Sequence, residues 1–220
     1  MLIQISDVLD SATLAEFRST IAAAAGAFED GSRTAGWHAK AVKNNEQVTK
    51  DAASPVTATL RGILLEHPVF KAAAMPKQFV KILVSRYRPG MSYGSHVDDA
   101  LMGGIRTDLS FTLFLSEPET YDGGALVIEG NDGDSEVKLP AGSLVLYPTT
   151  TLHRVSEVTR GERLAIAGWV RSYIRSHEDR ELLFDLENII ASLRQQGIGR
   201  PTLDRVMKVK ANLLRKWAED

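Results

Sequence analysis

The spacing of apolar residues along the chain divides it into three parts, and the first part has helical periodicity. This spacing predicts a helix from about Ser11 and a second helix over about 46–67, with Pro55 disturbing its first half. Residues 2–5 are expected to form a short strand, and the polar segment 31–45 a loop or an edge strand. The N-terminal part should therefore supply helices that each bury one face.

The middle part, from residue 79 to residue 174, changes to short apolar runs separated by turns. Segments 121–124 and 131–134 are rich in Gly, Asp and Asn, the residues that favour tight turns. The predicted strands cover residues 79–88, 95–98, 106–116, 124–129, 135–139, 143–147, 152–158 and 162–174. About eight strands at this close spacing indicate a jelly roll or a barrel and not a sheet built from βαβ units.

The last part returns to helical spacing and predicts a pair of helices. Ser176 is a good N-cap for the first of them, and Gly197 and Pro201 separate the two. We expect residues 1–176 to form one domain and residues 177–220 a helical C-terminal extension. The apolar stripes of the extension need a partner surface, which is either the first domain, the commoner arrangement, or another copy in a homo-oligomer.

Composition excludes several classes of protein. The chain of 220 residues is 44% hydrophobic, enough for one substantial core, and its net charge of −2 gives no electrostatic footprint for nucleic acid. It contains no cysteine, so disulfides and thiolate metal ligands are absent. No basic segment followed by a long apolar run opens the chain, and no run approaches the ~20 apolar residues of a membrane helix. We expect no nucleic-acid partner, no membrane association and a cytoplasmic location.

The residues that suggest chemistry are His96 and Asp98, then His153 far downstream, then Arg163 ten residues later. Two imidazoles and one carboxylate can bind one face of Fe(II) and leave the opposite coordination positions open. An arginine shortly after the last ligand can bind the carboxylate of a co-substrate beside the metal. The set therefore suggests an oxygenase that uses Fe(II) and 2-oxoglutarate.

The His-x-Asp spacing is weak evidence alone, because the chain contains it twice. No histidine follows the second copy, His177 to Asp179, and Ser176 before it favours a capped helix start. The first copy, in contrast, follows a predicted strand and a Pro-Gly turn, and His153 and Arg163 also lie in strand-like segments. Order, spacing and strand context together favour the functional interpretation of the first copy.

Two segments carry a resemblance to known families. The segment Tyr-Arg-Pro-Gly-Met-Ser-Tyr-Gly-Ser-His-Val-Asp at 87–98 resembles the iron-binding segment of prolyl-4-hydroxylase-like dioxygenases. Residues 35–45 and the helical tail resemble the bacterial PKHD-type hydroxylases, over nearly the whole chain. This resemblance implies an α+β fold, mainly β, with a double-stranded β-helix (jelly-roll) core, N-terminal flanking helices and a C-terminal helical pair.

The same resemblance implies roles for single residues. His96, Asp98 and His153 would bind Fe(II), and Arg163 would bind the distal carboxylate of 2-oxoglutarate. Tyr87 is a tentative second partner of that carboxylate, and it is equally well explained as a half-buried strand aromatic. The implied cofactors are Fe(II), 2-oxoglutarate and O2, with L-ascorbate (vitamin C) as reductant. The implied reaction hydroxylates a small molecule or a peptidyl side chain and releases succinate and CO2.

Three other functions compete with this one. A cupin-like metal enzyme would use the same barrel without 2-oxoglutarate, and Arg163 argues against it. A non-catalytic sensor of a metal or a ligand stays open, although the intact set of ligands gives no reason to prefer it. Nucleic-acid demethylases of this kind carry a second arginine six residues after the first, where this chain has Trp169, and the charge balance also disfavours them.

Overall fold

The computed structural model describes residues 1–219. The α-helices are α1 (Ser11–Ala23), α2 (Lys50–Glu66), α3 (Pro68–Ala74), α4 (His177–Gln195) and α5 (Arg200–Trp217). The β-strands are β1 (Ile3–Ile5), β2 (Phe28–Asp30), β3 (Lys43–Asn44), β4 (Glu46–Val48), β5 (Pro76–Tyr87), β6 (Ser92–His96), β7 (Leu101–Met102), β8 (Ile105–Arg106), β9 (Leu109–Phe114), β10 (Asp122–Gly123), β11 (Leu126–Ile128), β12 (Ser135–Val137), β13 (Leu144–Pro148), β14 (His153–Val155), β15 (Val158–Arg160) and β16 (Arg163–Ser172).

Two antiparallel sheets make up the centre of the molecule. The larger has seven strands in the order β1-β13-β9-β16-β5-β4-β2, and the smaller has five in the order β12-β11-β14-β6-β3. Side chains from both sheets line one cavity, so the sheets face each other. This is the jelly-roll arrangement that the strand pattern predicts.

The larger sheet is apolar on its outer face, where the N-terminal helices cover it. Leu109, Phe111 and Leu113 alternate along β9 and pack in one core with Leu60 of α2 and Phe70 of α3. All five side chains are almost fully buried. Burying a side chain of this size contributes roughly 1.5–3 kcal/mol, so this layer is a main source of stability.

The inner face of the same sheet is more polar and lined by smaller side chains, which leaves room for a cavity. On β9 the inward positions carry Ser110 and Thr112, and on β16 they include Arg163, Ala167 and Trp169. Because side chains alternate between the faces of a strand, the same strands build the core and the cavity wall.

Gly168 on β16 allows a close contact across the outer layer. A Cβ atom built at this position would lie closer to the ring of Phe111 than real Cβ atoms do. Gly168 is paired with Phe111 in the register of β16 and β9. The absent side chain therefore lets the phenyl ring fill the space over the sheet.

The C-terminal helices dock on the rest of the chain. Ser176 caps α4, since its Oγ accepts a hydrogen bond from the Asp179 backbone nitrogen at 3.0 Å. Phe184 of α4 packs against the outer core, and Lys210 of α5 forms an ion pair with Glu187 of α4. The predicted intramolecular docking is therefore observed. Within residues 1–219, no helix is long and apolar enough to cross a membrane.

The second predicted helix begins later than expected. Its first residues, Glu46–Val48, form β4, which pairs with β5 on one side and β2 on the other. The helix starts at Lys50 and includes Pro55 in its first half. The short helix α3 that follows was not predicted.

Two predicted strands also end differently. The strand predicted over 95–98 stops at His96, because its partner strand β14 begins at the register-paired His153. Asp98 therefore lies in the loop beyond the strand. The strand predicted over 152–158 is divided into β14, which pairs with β11 and β6, and β15, which pairs with β10.

Candidate metal and co-substrate site

Two neighbouring strands of the smaller sheet bring the two predicted histidine ligands together. His96 is the last residue of β6, His153 is the first of β14, and the two are register partners. Their ring centroids lie 4.3 Å apart. Asp98 reaches the same point from the loop after β6, so one potential ligand atom from each of the three residues lies within 4.8 Å of the others.

The main chain sets the tautomer of both imidazoles. His96 Nδ1 lies 2.9 Å from the Gly94 carbonyl oxygen, and His153 Nδ1 lies 3.1 Å from the Thr151 carbonyl oxygen. A carbonyl oxygen can only accept a hydrogen bond, so each Nδ1 carries the proton and donates it. Each Nε2 is left with a free lone pair directed toward Asp98, as metal binding requires.

Aromatic rings hold the two imidazoles in place. Tyr93 stacks on His96 with ring centroids 3.6 Å apart, and Tyr147 meets His153 edge-on at 5.1 Å. Burial, with His153 as the next cause, lowers the pKa of His96 well below its usual range. A buried neutral imidazole is a ready metal ligand.

The Asp98 carboxylate is held by the larger sheet. Ser110 Oγ on β9 donates a 2.6 Å hydrogen bond to Asp98 Oδ2. The carboxylate oxygens lie 4.0 Å from His96 Nε2 and 3.7 Å from His153 Nε2, distances that leave space for an ion between them. Only 6% of the carboxyl side chain is exposed. Two neutral imidazoles and one carboxylate suit Fe(II).

Arg163 lies at the other end of the cavity as a buried cation. It is 2% exposed, begins β16 and is the register partner of Tyr87 on β5. The guanidinium carbon lies 5.2 Å from the Tyr87 ring centroid and 5.4 Å from that of Phe114. Among the described residues Arg163 forms no ion pair, and its buried Nε has no hydrogen-bond partner. Because an uncompensated buried charge is costly, the site fits an anionic ligand.

Tyr87 also lines the cavity, as the sequence suggests. Burial raises the pKa of Tyr87, and the Arg163 cation opposes that effect, so its hydroxyl is a neutral donor beside the guanidinium. Asn45 directly precedes Glu46, the register partner of Arg86, and its buried amide also lines the cavity. Sequence reasoning did not identify Asn45 as a site residue, because it follows the two-residue strand β3 and has no motif.

All five predicted site residues line one cavity between the sheets. The cavity is also lined by side chains that the sequence did not indicate. Among them are Thr112 on β9, the aromatic Tyr147, and two lysines, Lys43 and Lys81. Strand alternation could have indicated Thr112, because it is a polar residue between apolar outward positions. For the lysines no local pattern gives a signal.

Two family models match the chain. The model of the 2OG-Fe(II) oxygenase superfamily matches residues 82–171, which contain all five predicted site residues. The model of the PKHD-type hydroxylase C-terminal domain matches residues 178–219, which contain α4 except its first residue and all of α5.

Curated and solved proteins agree with these matches. A PKHD-type hydroxylase from Maricaulis maris is 52% identical over 221 residues, which cover 100% of both chains. A Pseudomonas putida prolyl-4-hydroxylase is similar in fold, with a TM-score of 0.55, 22% identity, and coverage of 78% of this chain and 92% of that one. HygX from Streptomyces hygroscopicus, solved with nickel and 2-oxoglutarate bound, has a TM-score of 0.57 and 18% identity over 79% of this chain and 84% of its own. The chain therefore belongs to the PKHD-type hydroxylases and is a 2-oxoglutarate-dependent iron dioxygenase.

Proposed function

We propose that His96, Asp98 and His153 bind the Fe(II) of this hydroxylase and that Arg163 binds the distal carboxylate of 2-oxoglutarate. The observation that carries the proposal is the convergence of the three ligand residues, whose atoms lie within 4.8 Å of one another at one end of a cavity that also contains Arg163. A buried cation that forms no ion pair among residues 1–219 and a converged set of neutral and anionic ligand residues are complementary to a diacid and a divalent metal.

The protein orients the cofactors through groups fixed before they bind. The Gly94 and Thr151 carbonyls direct the two Nε2 atoms, and Ser110 directs the carboxylate. Three protein ligands on one face leave the opposite face for the co-substrate and O2. When bound, iron and 2-oxoglutarate would supply the activation of O2 for hydroxylation, with succinate and CO2 as co-products.

Arg163 and Tyr87 anchor the far end of the co-substrate. The guanidinium offers a charge-assisted and bidentate contact, and the neutral Tyr87 hydroxyl offers a second donor to the same carboxylate. Apolar side chains around this end, such as Leu126 and Val155, exclude water from it.

L-ascorbate, as the reductant that returns iron to Fe(II), is part of the proposal and rests on the family alone. Its test is the dependence of succinate formation on added ascorbate. The substrate is proposed to be a small molecule or a peptidyl side chain. A cytoplasmic location is proposed because the chain contains no cysteine and so no disulfide framework.

The experiment for the metal and co-substrate roles needs no substrate. Fe(II) is added to metal-free protein without oxygen, with and without 2-oxoglutarate, and the visible spectrum is recorded. We expect a charge-transfer band that requires both components and disappears in Asp98→Ala. The matched control is Asp99→Ala, which removes the neighbouring carboxylate and should keep the band. A band that survives in Asp98→Ala would overturn the assignment of this ligand.

Association between copies through the C-terminal helices is also proposed. Leu182 and Ile189 on α4 and Val209 on α5 expose 56%, 51% and 52% of their surface, and these exposed apolar side chains support a second copy as the partner of the two helices. Light scattering of the wild type and of Leu182→Lys with Ile189→Lys tests it. A monomeric wild-type protein at high concentration would refute the association.

A further inference from the structure

Two lysines lie beside the proposed metal, one on each sheet. Lys81 on β5 is the register partner of Trp169 on β16, and Trp169 in turn is paired with Ser110, which binds Asp98. Lys43 on β3 is the register partner of Tyr93, which stacks on His96. Both lysines line the cavity that contains the metal-binding residues. They therefore flank the metal end of the cavity.

Neither ammonium has a carboxylate partner. Lys43 Nζ donates to Thr34 Oγ1 at 3.2 Å, and Lys81 Nζ donates to the Thr34 carbonyl oxygen at 3.4 Å. Within residues 1–219, neither lysine forms an ion pair. Burial, with the Lys81 ammonium as the next cause, lowers the pKa of Lys43 to about 8, and burial also lowers the pKa of Lys81 against the opposing effect of Asp99. Two cations are thus held close together by one residue.

The cavity offers a third donor at the same level. The indole Nε1 of Trp169 is buried and has no hydrogen-bond partner. Buried donors normally have an acceptor, so an unpaired one at a cavity wall is available to a bound ligand. Trp169 and Lys81 face each other across adjacent strands. The donors at this end of the cavity need an acceptor that carries negative charge.

Both carboxylates of the co-substrate are bound elsewhere. Arg163 is paired with Tyr87, and Trp169 with Lys81, so the two pairs are six residues apart along the same two strands. A 2-oxoglutarate molecule that binds Arg163 through its distal carboxylate and the metal through its other end has no carboxylate left for the lysines. The lysines are therefore available to another molecule.

We propose that Lys43 and Lys81, with Trp169, form a binding site for an anionic group of the hydroxylated substrate. The inference rests on the proposed placement of iron and 2-oxoglutarate. It assigns the substrate to compounds that carry a carboxylate, phosphate or sulfate close to the carbon that is hydroxylated. The two ammoniums supply charge-assisted contacts, and Thr34 fixes their positions.

The test uses small anions as probes and calorimetric titration as the readout. Protein loaded with Fe(II) and 2-oxoglutarate without oxygen is titrated with sulfate, with benzoate and with benzamide, the neutral match of benzoate. We expect saturable binding of at least one anion and none of benzamide. Binding should weaken at least tenfold in Lys43→Gln and in Lys81→Gln and be largely restored in Lys81→Arg. Sulfate and benzoate distinguish tetrahedral from planar anions.

Controls separate this proposal from the previous one. Lys208→Gln, which removes an exposed lysine on α5, should bind the anions as the wild type does. No saturable anion binding, or equal binding in the wild type and both glutamine variants, would overturn the anion site. Absence of the charge-transfer band in the wild type would instead overturn the placement of iron and 2-oxoglutarate. In that case the same titration of the metal-free protein still tests the lysines.

Discussion

Replacing Arg163 by lysine should weaken 2-oxoglutarate binding and leave iron binding intact. The substitution keeps the positive charge but removes the planar fork of donors that matches a carboxylate. Arg163 is 2% exposed and forms no ion pair among residues 1–219, so no protein carboxylate can replace the contact that is lost. The affinity for 2-oxoglutarate should therefore fall by the full free energy of the lost contact.

The magnitude follows from the contacts that change. A hydrogen bond to a charged group contributes about 1.5–3 kcal/mol, and the shorter point-charge lysine should lose about one such bond. This loss corresponds to a dissociation constant for 2-oxoglutarate about 10- to 150-fold higher. The assay is titration of the Fe(II) protein with 2-oxoglutarate without oxygen, followed by the charge-transfer band.

The matched control is Arg160→Lys, three residues earlier in the chain. Arg160 is exposed and pairs with Asp122 at 2.7 Å, so the control changes the same side chain outside the cavity. It should bind 2-oxoglutarate with the affinity of the wild type. An unchanged dissociation constant in Arg163→Lys would refute the role of Arg163, whereas loss of Fe(II) binding in that variant would show that the substitution disturbs the whole site.

Three further substitutions, one of them with a control variant, test other parts of the structure. Ser110→Ala removes the hydrogen bond to Asp98, so Fe(II) affinity measured by competition with a chelator should fall about 10- to 100-fold; wild-type affinity would show that the contact is dispensable. Gly168→Ala crowds the outer core and should lower the free energy of unfolding in urea by about 1–3 kcal/mol. Gly62→Ala, with nothing within 4 Å of the added methyl group, should not destabilise the protein, and equal losses in both variants would contradict the packing argument. Ser176→Ala removes the cap of α4 and should lower the free energy of unfolding in urea by about 1 kcal/mol. An unchanged unfolding midpoint would contradict the capping role.

The sequence predicted those features that depend on local patterns. The helices α1, α4 and α5 follow from apolar periodicity and capping residues, and most strands of the jelly roll follow from short apolar runs between turns. Four of the five candidate site residues were found because a motif, a fixed spacing and strand context coincide, and Tyr87 was found only through the family resemblance. The structure brings them to one cavity.

Features that depend on distant pairing were not predictable in the same way. Residues Glu46–Val48 continue a helical pattern, but they form β4 because β2 and β5 offer strand partners on both sides. Lys43 and Lys81 are far apart in the chain. They come together only in the fold, where both Nζ atoms donate hydrogen bonds to Thr34. No local pattern contains that information.

The three metal-binding side chains should differ in their sensitivity to substitutions elsewhere in the chain, because different groups orient them. Both imidazoles are oriented by carbonyls two residues earlier in their own segments, Gly94 and Thr151, and a main-chain oxygen is present whatever side chain the position carries. Asp98 depends instead on a hydroxyl group from another sheet, which a single codon change can remove. Random substitutions should therefore disturb the orientation of the Asp98 ligand first. The two histidine ligands should keep their orientation as long as the backbone keeps its conformation.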